Sequence, residues 1–258
     1  MKPLFLRKKI LLQKEIGETP LESIIAWKQK HPRYKDIPAT YAGRLDPMAS
    51  GALLVLLGEE CKKRDLYIGY DKTYRVEVLL GVGSDTGDVL GIVTSATTRS
   101  TQELEIILQA EVGTYERAYP SYSSKTVDGK PLFLYALDGT IDSIEIPTHQ
   151  ETIYSIRKRR EYALTRDNLR ERITSLLALA PTSTEPSKKL GADFRIANVQ
   201  ESWDVVLKKE STYYVIDIEV CCGSGAYMRS LCQRIGTKLG TKALALSIHR
   251  DSITKKTA

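Results

Sequence analysis

At 258 residues, with 42% apolar and 27% charged side chains, the chain has the composition of an ordinary globular protein long enough to bury a substantial core. Its longest apolar runs are far too short to cross a bilayer, and residues 1–12 lack the apolar stretch and small-residue cleavage site of a secretory signal, so the cytoplasm is the expected compartment. A net charge of +6 and a pI near 9.0 favour a polyanionic partner, above all where basic residues cluster, as in Lys62-Lys-Arg64 and Arg157-Lys-Arg-Arg160.

In chain order, the pattern predicts a strand over 10–13 and then a helix over 20–30. Thr19-Pro-Leu-Glu22 is a capping box with Pro at the first helical position, and Ile24, Ile25 and Trp27 are its expected inward residues. Next, Tyr41-Ala-Gly-Arg-Leu-Asp-Pro-Met-Ala-Ser-Gly51 sets one carboxylate, Asp46, between Gly43 and Pro47. Pro47 biases Asp46 away from helical geometry, and Gly43 and Gly51 permit turns or a close backbone approach. Ordinary Asp-Pro turn chemistry has the same pattern, but a rigidly mounted carboxylate also suits nucleophilic or acid/base work. The apolar run Ala52-Leu-Leu-Val-Leu-Leu57 behind it reads as a buried strand or the start of a helix.

Tyr74, Val76, Val78 and Leu80 alternate with Arg75, Glu77 and Leu79, the period of a half-buried strand, and Ser84-Asp-Thr-Gly-Asp88 is a turn. Ser100-Thr-Gln-Glu103 opens a helix that turns Leu104, Ile107 and Leu108 inward. A strand over 119–127 is expected to meet a hairpin-type turn at Asp128-Gly129. A short helix from 131 to 137, further strands over 141–156 and a helix over 167–180 then follow. The polar, Pro/Ser/Thr-rich stretch from Pro181 to Lys189 predicts a mobile loop, which makes 160–195 the expected inserted or mobile segment. A strand over 213–220, a turn through Gly223 and Gly225 and a helix over 227–239 complete the pattern. Strands and helices mix without regular βαβ alternation, which predicts an α+β fold around a mixed, mostly antiparallel central sheet flanked by helices. Cys61, Cys221, Cys222 and Cys232 lack the spacing of a zinc site and the three histidines are scattered, so no structural metal is expected.

Six segments in this order resemble the TruB family of tRNA pseudouridine synthases. They are Lys14-Glu-Ile-Gly-Glu-Thr-Pro20, Gly43-Arg-Leu-Asp-Pro-Met-Ala-Ser-Gly51 with Gly58-Glu59, Lys72-Thr-Tyr74, Ser84-Asp-Thr-Gly-Asp88, Tyr119-Pro-Ser-Tyr-Ser-Ser-Lys125 and Gly225-Ala-Tyr-Met-Arg229. The resemblance implies the pseudouridine synthase fold in one catalytic domain over 1–258. It implies a cofactor-free isomerase that flips the T-loop uridine of tRNA (position 55) and converts it to pseudouridine. Asp46 is then the catalytic aspartate, Tyr74 the ring that stacks on the target base, Tyr227 the proton acceptor, and Arg229 the partner that favours ionised Asp46. Lys72, Gly43, Arg44 and Tyr41 complete the expected substrate contacts. The expected partner is the T arm of tRNA, and the protein is expected to act as a monomer without metal or membrane.

Two positions depart from the family. Many bacterial members have His where this chain has Tyr41, and Lys where it has Ser224. The Arg44-Leu-Asp46 triplet is also similar to the sister RluA-type synthases. The chain ends at Ala258, soon after the last resembling segment, so no carboxy-terminal RNA-binding PUA domain is expected and tRNA affinity is expected to be salt-sensitive. A synthase for another RNA, or an RNA-binding or tRNA-folding chaperone without chemistry, is the alternative.

Overall fold

Apolar runs form the central sheet and amphipathic helices cover it. The computed structural model describes residues 7–97, 101–181 and 194–255. The chain begins with β1 (Lys9–Lys14) and α1 (Pro20–Lys30). The capping box forms as the sequence predicts: Glu22 N–H donates to Thr19 Oγ1 at 3.2 Å, and Thr19 N–H donates to Glu22 Oε2 at 2.7 Å. Ile24 is buried and Trp27 packs on the same cluster, but Ile25 is 47% exposed. A helix advances by about 100° per residue, so Ile24 facing the sheet turns its neighbour away.

There follow β2 (Ala39–Ala42), β3 (Ala49–Leu57), α2 (Arg64–Ile68), β4 (Asp71–Leu80), β5 (Val82–Ser84), β6 (Val93–Ser95), α3 (Leu104–Gln109) and β7 (Gly113–Ala118). Beyond these lie β8 (Thr126–Val127), β9 (Lys130–Pro131), α4 (Leu132–Leu137), β10 (Thr148–Thr165), α5 (Arg166–Ala178), α6 (Ile196–Val206), β11 (Thr212–Cys222), α7 (Met228–Lys238) and β12 (Ala243–Thr254). Among the described residues the main sheet runs β1-β3-β12-β4-β11-β10-β7, with β2 also on β3. The β12–β3 pairing is parallel and the rest are antiparallel, so the sheet is mixed and mostly antiparallel as expected.

The apolar run after Asp46 is a strand, β3, buried on both faces. Leu53, Val55 and Leu57 meet Ile10, Ile24 and Tyr34, while Leu54 and Leu56 meet Tyr67 and Ile68 of α2. β4 is the middle of the sheet. Its face of Tyr74, Val76, Val78 and Leu80 packs on α3 and α7 through Leu104, Leu108, Leu231 and Ile235. Leu79, which alternation places on the open face, is fully buried with Leu169, Ile173, Val199 and Trp203 of α5 and α6. Helices therefore flank both faces, and among the described residues no helix is long and apolar enough to cross a membrane.

Several sequence expectations need correction. Residues 119–125 form turns, not a strand, because β7 ends at Ala118 and Pro120 has no N–H to continue the ladder. Only Thr126–Val127 pairs there, with Lys130–Pro131 around Asp128 (φ 49°) and Gly129 (φ 77°), the two left-handed residues of a type I′ hairpin. Ile141–Ser143 is a 3-10 turn, and the expected strand starts at Thr148. Of the segment 160–195, the described part up to residue 181 is regular. β10 runs to Thr165 and α5 packs Leu169, Ile173 and Leu177 into the core. The predicted loop beyond Pro181 lies outside the described residues, as does Ser100. Sequence patterning missed α6 and β12 altogether.

Candidate active site

Asp46 stands in the loop that joins β2 to β3. Ala49 N–H donates to Asp46 O at 3.0 Å and Gly17 N–H to Pro47 O at 2.9 Å, which sets the turn. Two almost fully buried cations clamp it. Lys14 Nζ donates to the carbonyls of Glu15 (2.9 Å), Pro47 (3.1 Å) and Ala49 (2.6 Å). Arg250 donates to those of Ala52 (2.7 Å), Gly43 (3.0 Å) and Arg44 (3.4 Å). A buried cation is tolerated only with its donors satisfied, so these carbonyls and the loop shape depend on one another. Burial lowers the Lys14 ammonium to about 8, against the opposing pull of Glu18 and Asp46. Gly51 has φ 104°, and a Cβ there would lie 2.3 Å from Arg250 O.

The carboxylate meets a guanidinium from the start of α7. Arg229 Nε donates to Asp46 Oδ2 at 2.7 Å, NH1 to Thr86 O at 2.6 Å and NH2 to Tyr122 O at 3.0 Å. The Asp46–Arg229 contact expected from the sequence is thus present, and the arginine side chain is 5% exposed against 37% for Asp46. One cation ties together three loops remote in sequence. A second carboxylate, Asp88, lies 3.7 Å from Arg229 Nε. Burial raises the Asp88 pKa, while Arg229 and the Thr86 hydroxyl oppose that shift. Thr86 Oγ1 (2.7 Å) and Leu90 N–H (3.0 Å) donate to Asp88 Oδ1.

Tyr227 is the residue before α7, and its N–H donates to buried Glu151 Oε2 at 3.3 Å. Its ring stands edge-on to Tyr119 and His149, which stack at 4.2 Å. Burial raises the phenol pKa and the nearby Asp46 charge adds to this, so Tyr227 is a neutral phenol at neutral pH. Tyr74, from β4, is pushed up to about 12 by burial, with the Arg250 guanidinium acting in the opposite direction. Lys72 Nζ donates to Ile68 O at 2.9 Å and to Tyr70 O, and burial lowers it to about 8.

These groups surround a cavity of about 390 Å³, within the range of small-ligand pockets. Its wall includes Gly43, Arg44, Asp46, Lys72, Tyr74, Tyr227 and Arg229, as the sequence suggested. Tyr41 is the exception: it is not part of the wall and packs with Ile10, Ile24 and Tyr34 beneath α1. β2 pairs Tyr41 with Val55, which places it on the strand and not in the loop. Sequence reasoning also missed Asp88, Tyr122, Arg195 and Arg250 as wall residues. The bulge between Ala245 and Ser247 sets the register in which Arg250 pairs with Tyr74.

The residues of the two basic runs have carboxylate or carbonyl partners. Arg157 pairs with Glu219, Lys158 with Glu105 and Glu161, and Arg159 and Arg160 with Asp217. Lys62 pairs with Glu59 and Lys63 with Glu60, while Arg64 donates to Tyr41 O.

The fold is that of the pseudouridine synthases. It superposes on the structure titled "Crystal Structure of a Cbf5-Nop10-Gar1 Complex" with a TM-score of 0.54 and 16% identity, covering 95% of this chain and 48% of that one. The family model described as TruB family pseudouridylate synthase (N terminal domain) matches residues 33–170, more than half of the sequence. The chain belongs to the TruB family. It is 28% identical over 253 residues to tRNA pseudouridine synthase 4 of Saccharomyces cerevisiae, covering 87% of this chain and 63% of that protein. It is 40% identical over 140 residues to tRNA pseudouridine synthase B of Methylobacillus flagellatus (54% and 44% covered), and 30% over 246 residues to that of Marinomonas sp. (94% and 62%). It spans less than two thirds of the length of each of these relatives.

Proposed function

We propose that this protein is a tRNA pseudouridine synthase that isomerises the T-loop uridine (position 55) by flipping it into the cavity beside Asp46. The observation that carries this reading is the Asp46 carboxylate on the cavity wall, bonded to buried Arg229 at 2.7 Å, with Tyr74 and Tyr227 on the same wall. Its tRNA-modifying relatives support it.

The reaction breaks the N1–C1′ glycosidic bond, turns the uracil and joins C5 to C1′. The C5 proton leaves and N1 acquires one. Asp46 assists the cleavage by attack on the sugar, attack on the base or removal of a sugar proton. Arg229 holds the carboxylate in one orientation throughout. Extracting the base costs a few kcal/mol, and Tyr74 offers an aromatic face that returns part of this. Tyr227, a neutral phenol, takes the C5 proton only while giving up its own, so in this role it is a relay. Asp46, whose charge acts on the same phenol, is the onward acceptor. The reaction is redox-neutral and the proposal includes no cofactor. The cytoplasm and a monomer working on the T arm complete the reading.

The test incubates the protein with unmodified tRNA transcript and maps pseudouridine chemically, with Asp46→Asn in parallel. Modification at the T-loop uridine that is absent in the variant is the expected result. Modification at other sites points to a different RNA, and RNA binding by both proteins with no modification overturns the enzymatic reading in favour of an RNA chaperone.

A further inference from the structure

β10 and β11 are adjacent antiparallel strands in register from Ile153↔Cys222 to Thr165↔Thr212, so a short turn would join them. The chain instead spends 166–211 on the connection, including α5 and α6. The connection is anchored to the segment that carries Asp85, Thr86 and Asp88. Trp203 Nε1 donates to Val89 O at 3.1 Å and Val93 N–H to Ser202 Oγ at 3.0 Å. It reaches the cavity at the start of α6, where Phe194 and Arg195 form part of the wall. Arg195 NH1 donates to Asp85 Oδ2 at 2.8 Å, the Tyr122 hydroxyl donates to the same oxygen at 3.0 Å, and the guanidinium lies over the Tyr122 ring at 5.1 Å.

Among the described residues, the cavity wall has few cations that RNA can reach. Lys72, Arg229 and Arg250 are 6%, 4% and 1% exposed, and they give donors to carbonyls or to Asp46. Among the described wall residues, Arg44 is exposed and the Arg195 side chain is 27% open, and the two come from separate elements. A nucleotide that flips into the cavity carries its flanking phosphates across the mouth, where a braced, planar guanidinium binds phosphate best.

We infer that the start of α6 is an RNA-holding element of this chain, with Arg195 as the residue that contacts the phosphodiester beside the target nucleotide. This rests on the synthase reading. The geometry adds a specific constraint: the Arg195 backbone is left-handed (φ 52°), so glycine suits the position without strain.

The test measures binding of unmodified tRNA transcript and single-turnover pseudouridine formation at several salt concentrations. It compares the full chain with Arg195→Gly and Arg195→Gln, with folding checked by thermal melting. The expected result is a dissociation constant raised roughly tenfold at low salt and a salt slope shallower by about 0.7–0.9, the value of one phosphate contact. The loss falls on half-saturation and not on the rate at saturation. Unchanged affinity and slope in folded variants overturns the inference. So does a loss confined to the saturated rate, because that would make Arg195 only a brace for Tyr122 and Arg229. Absence of product from the wild type counts against the synthase reading alone, since binding and slope still report on Arg195.

Discussion

Replacing Arg229 by lysine separates geometry from charge beside Asp46. The arginine makes three bonds at 2.6–3.0 Å to three different segments, through Asp46, Thr86 and Tyr122. A lysine ammonium keeps the positive charge near Asp46 and Asp88, but it is one compact nitrogen on a different stem and cannot span all three. If it keeps one carbonyl, the charge-assisted bond to Asp46 is lost, and such bonds contribute about 1.5–3 kcal/mol. Expressed fully in the transition state, that is a fall in the rate constant of roughly 10- to 150-fold. The abandoned carbonyl adds on the order of 1 kcal/mol of destabilisation, about 2–4 °C in melting temperature for a chain of this size. Single-turnover kinetics with enzyme in excess measure the chemical step apart from RNA binding, which is expected to stay within about threefold, a fraction of a kcal/mol. A folded Arg229→Lys variant with the wild-type rate constant and pH–rate profile would refute the idea that the guanidinium fork positions Asp46.

Gly51→Ala is expected to cost about 3–5 kcal/mol, because its φ of 104° and backbone neighbours at 2.3–2.9 Å leave a Cβ no room. Chemical denaturation reads the loss, and Gly129→Ala, at positive φ with nothing within 4 Å, is the milder control at about 1 kcal/mol. A cost at Gly51 no larger than at Gly129 would contradict the close packing against Arg250. Burial lowers Lys72 to about 8, so its ammonium is charged below that pH and neutral above it. Between about 8 and the ordinary value of 10.5 the unfolded chain keeps a proton that the folded chain has released, so this lysine contributes a stability that increases with pH across that window. Melting curves over that range are expected to rise less steeply with pH in Lys72→Met, and parallel curves would count against the buried cation.

The sequence by itself determined the features that depend on near neighbours. The capping box at Thr19 to Glu22, the face of Tyr74, Val76, Val78 and Leu80, and the Gly43–Pro47 frame around Asp46 each follow from propensity, periodicity or turn sterics within a few residues. The ordered motifs also named Asp46, Lys72, Tyr74, Tyr227 and Arg229, and the structure brings all five to one cavity. Only the tertiary structure decided which distant groups join them. A bulge in β12 brings Arg250 beside Tyr74, the turn after β5 places Asp88 near Arg229, and the start of α6 carries Arg195 to the wall. Strand register likewise removed Tyr41 from the cavity and matched the basic run 157–160 with carboxylates on neighbouring elements. The physical reason is that periodicity fixes which way a side chain points on its own element, whereas sheet pairing, bulges and helix docking fix what it meets. Those depend on partners as far as 207 residues away, as between Arg250 and Gly43.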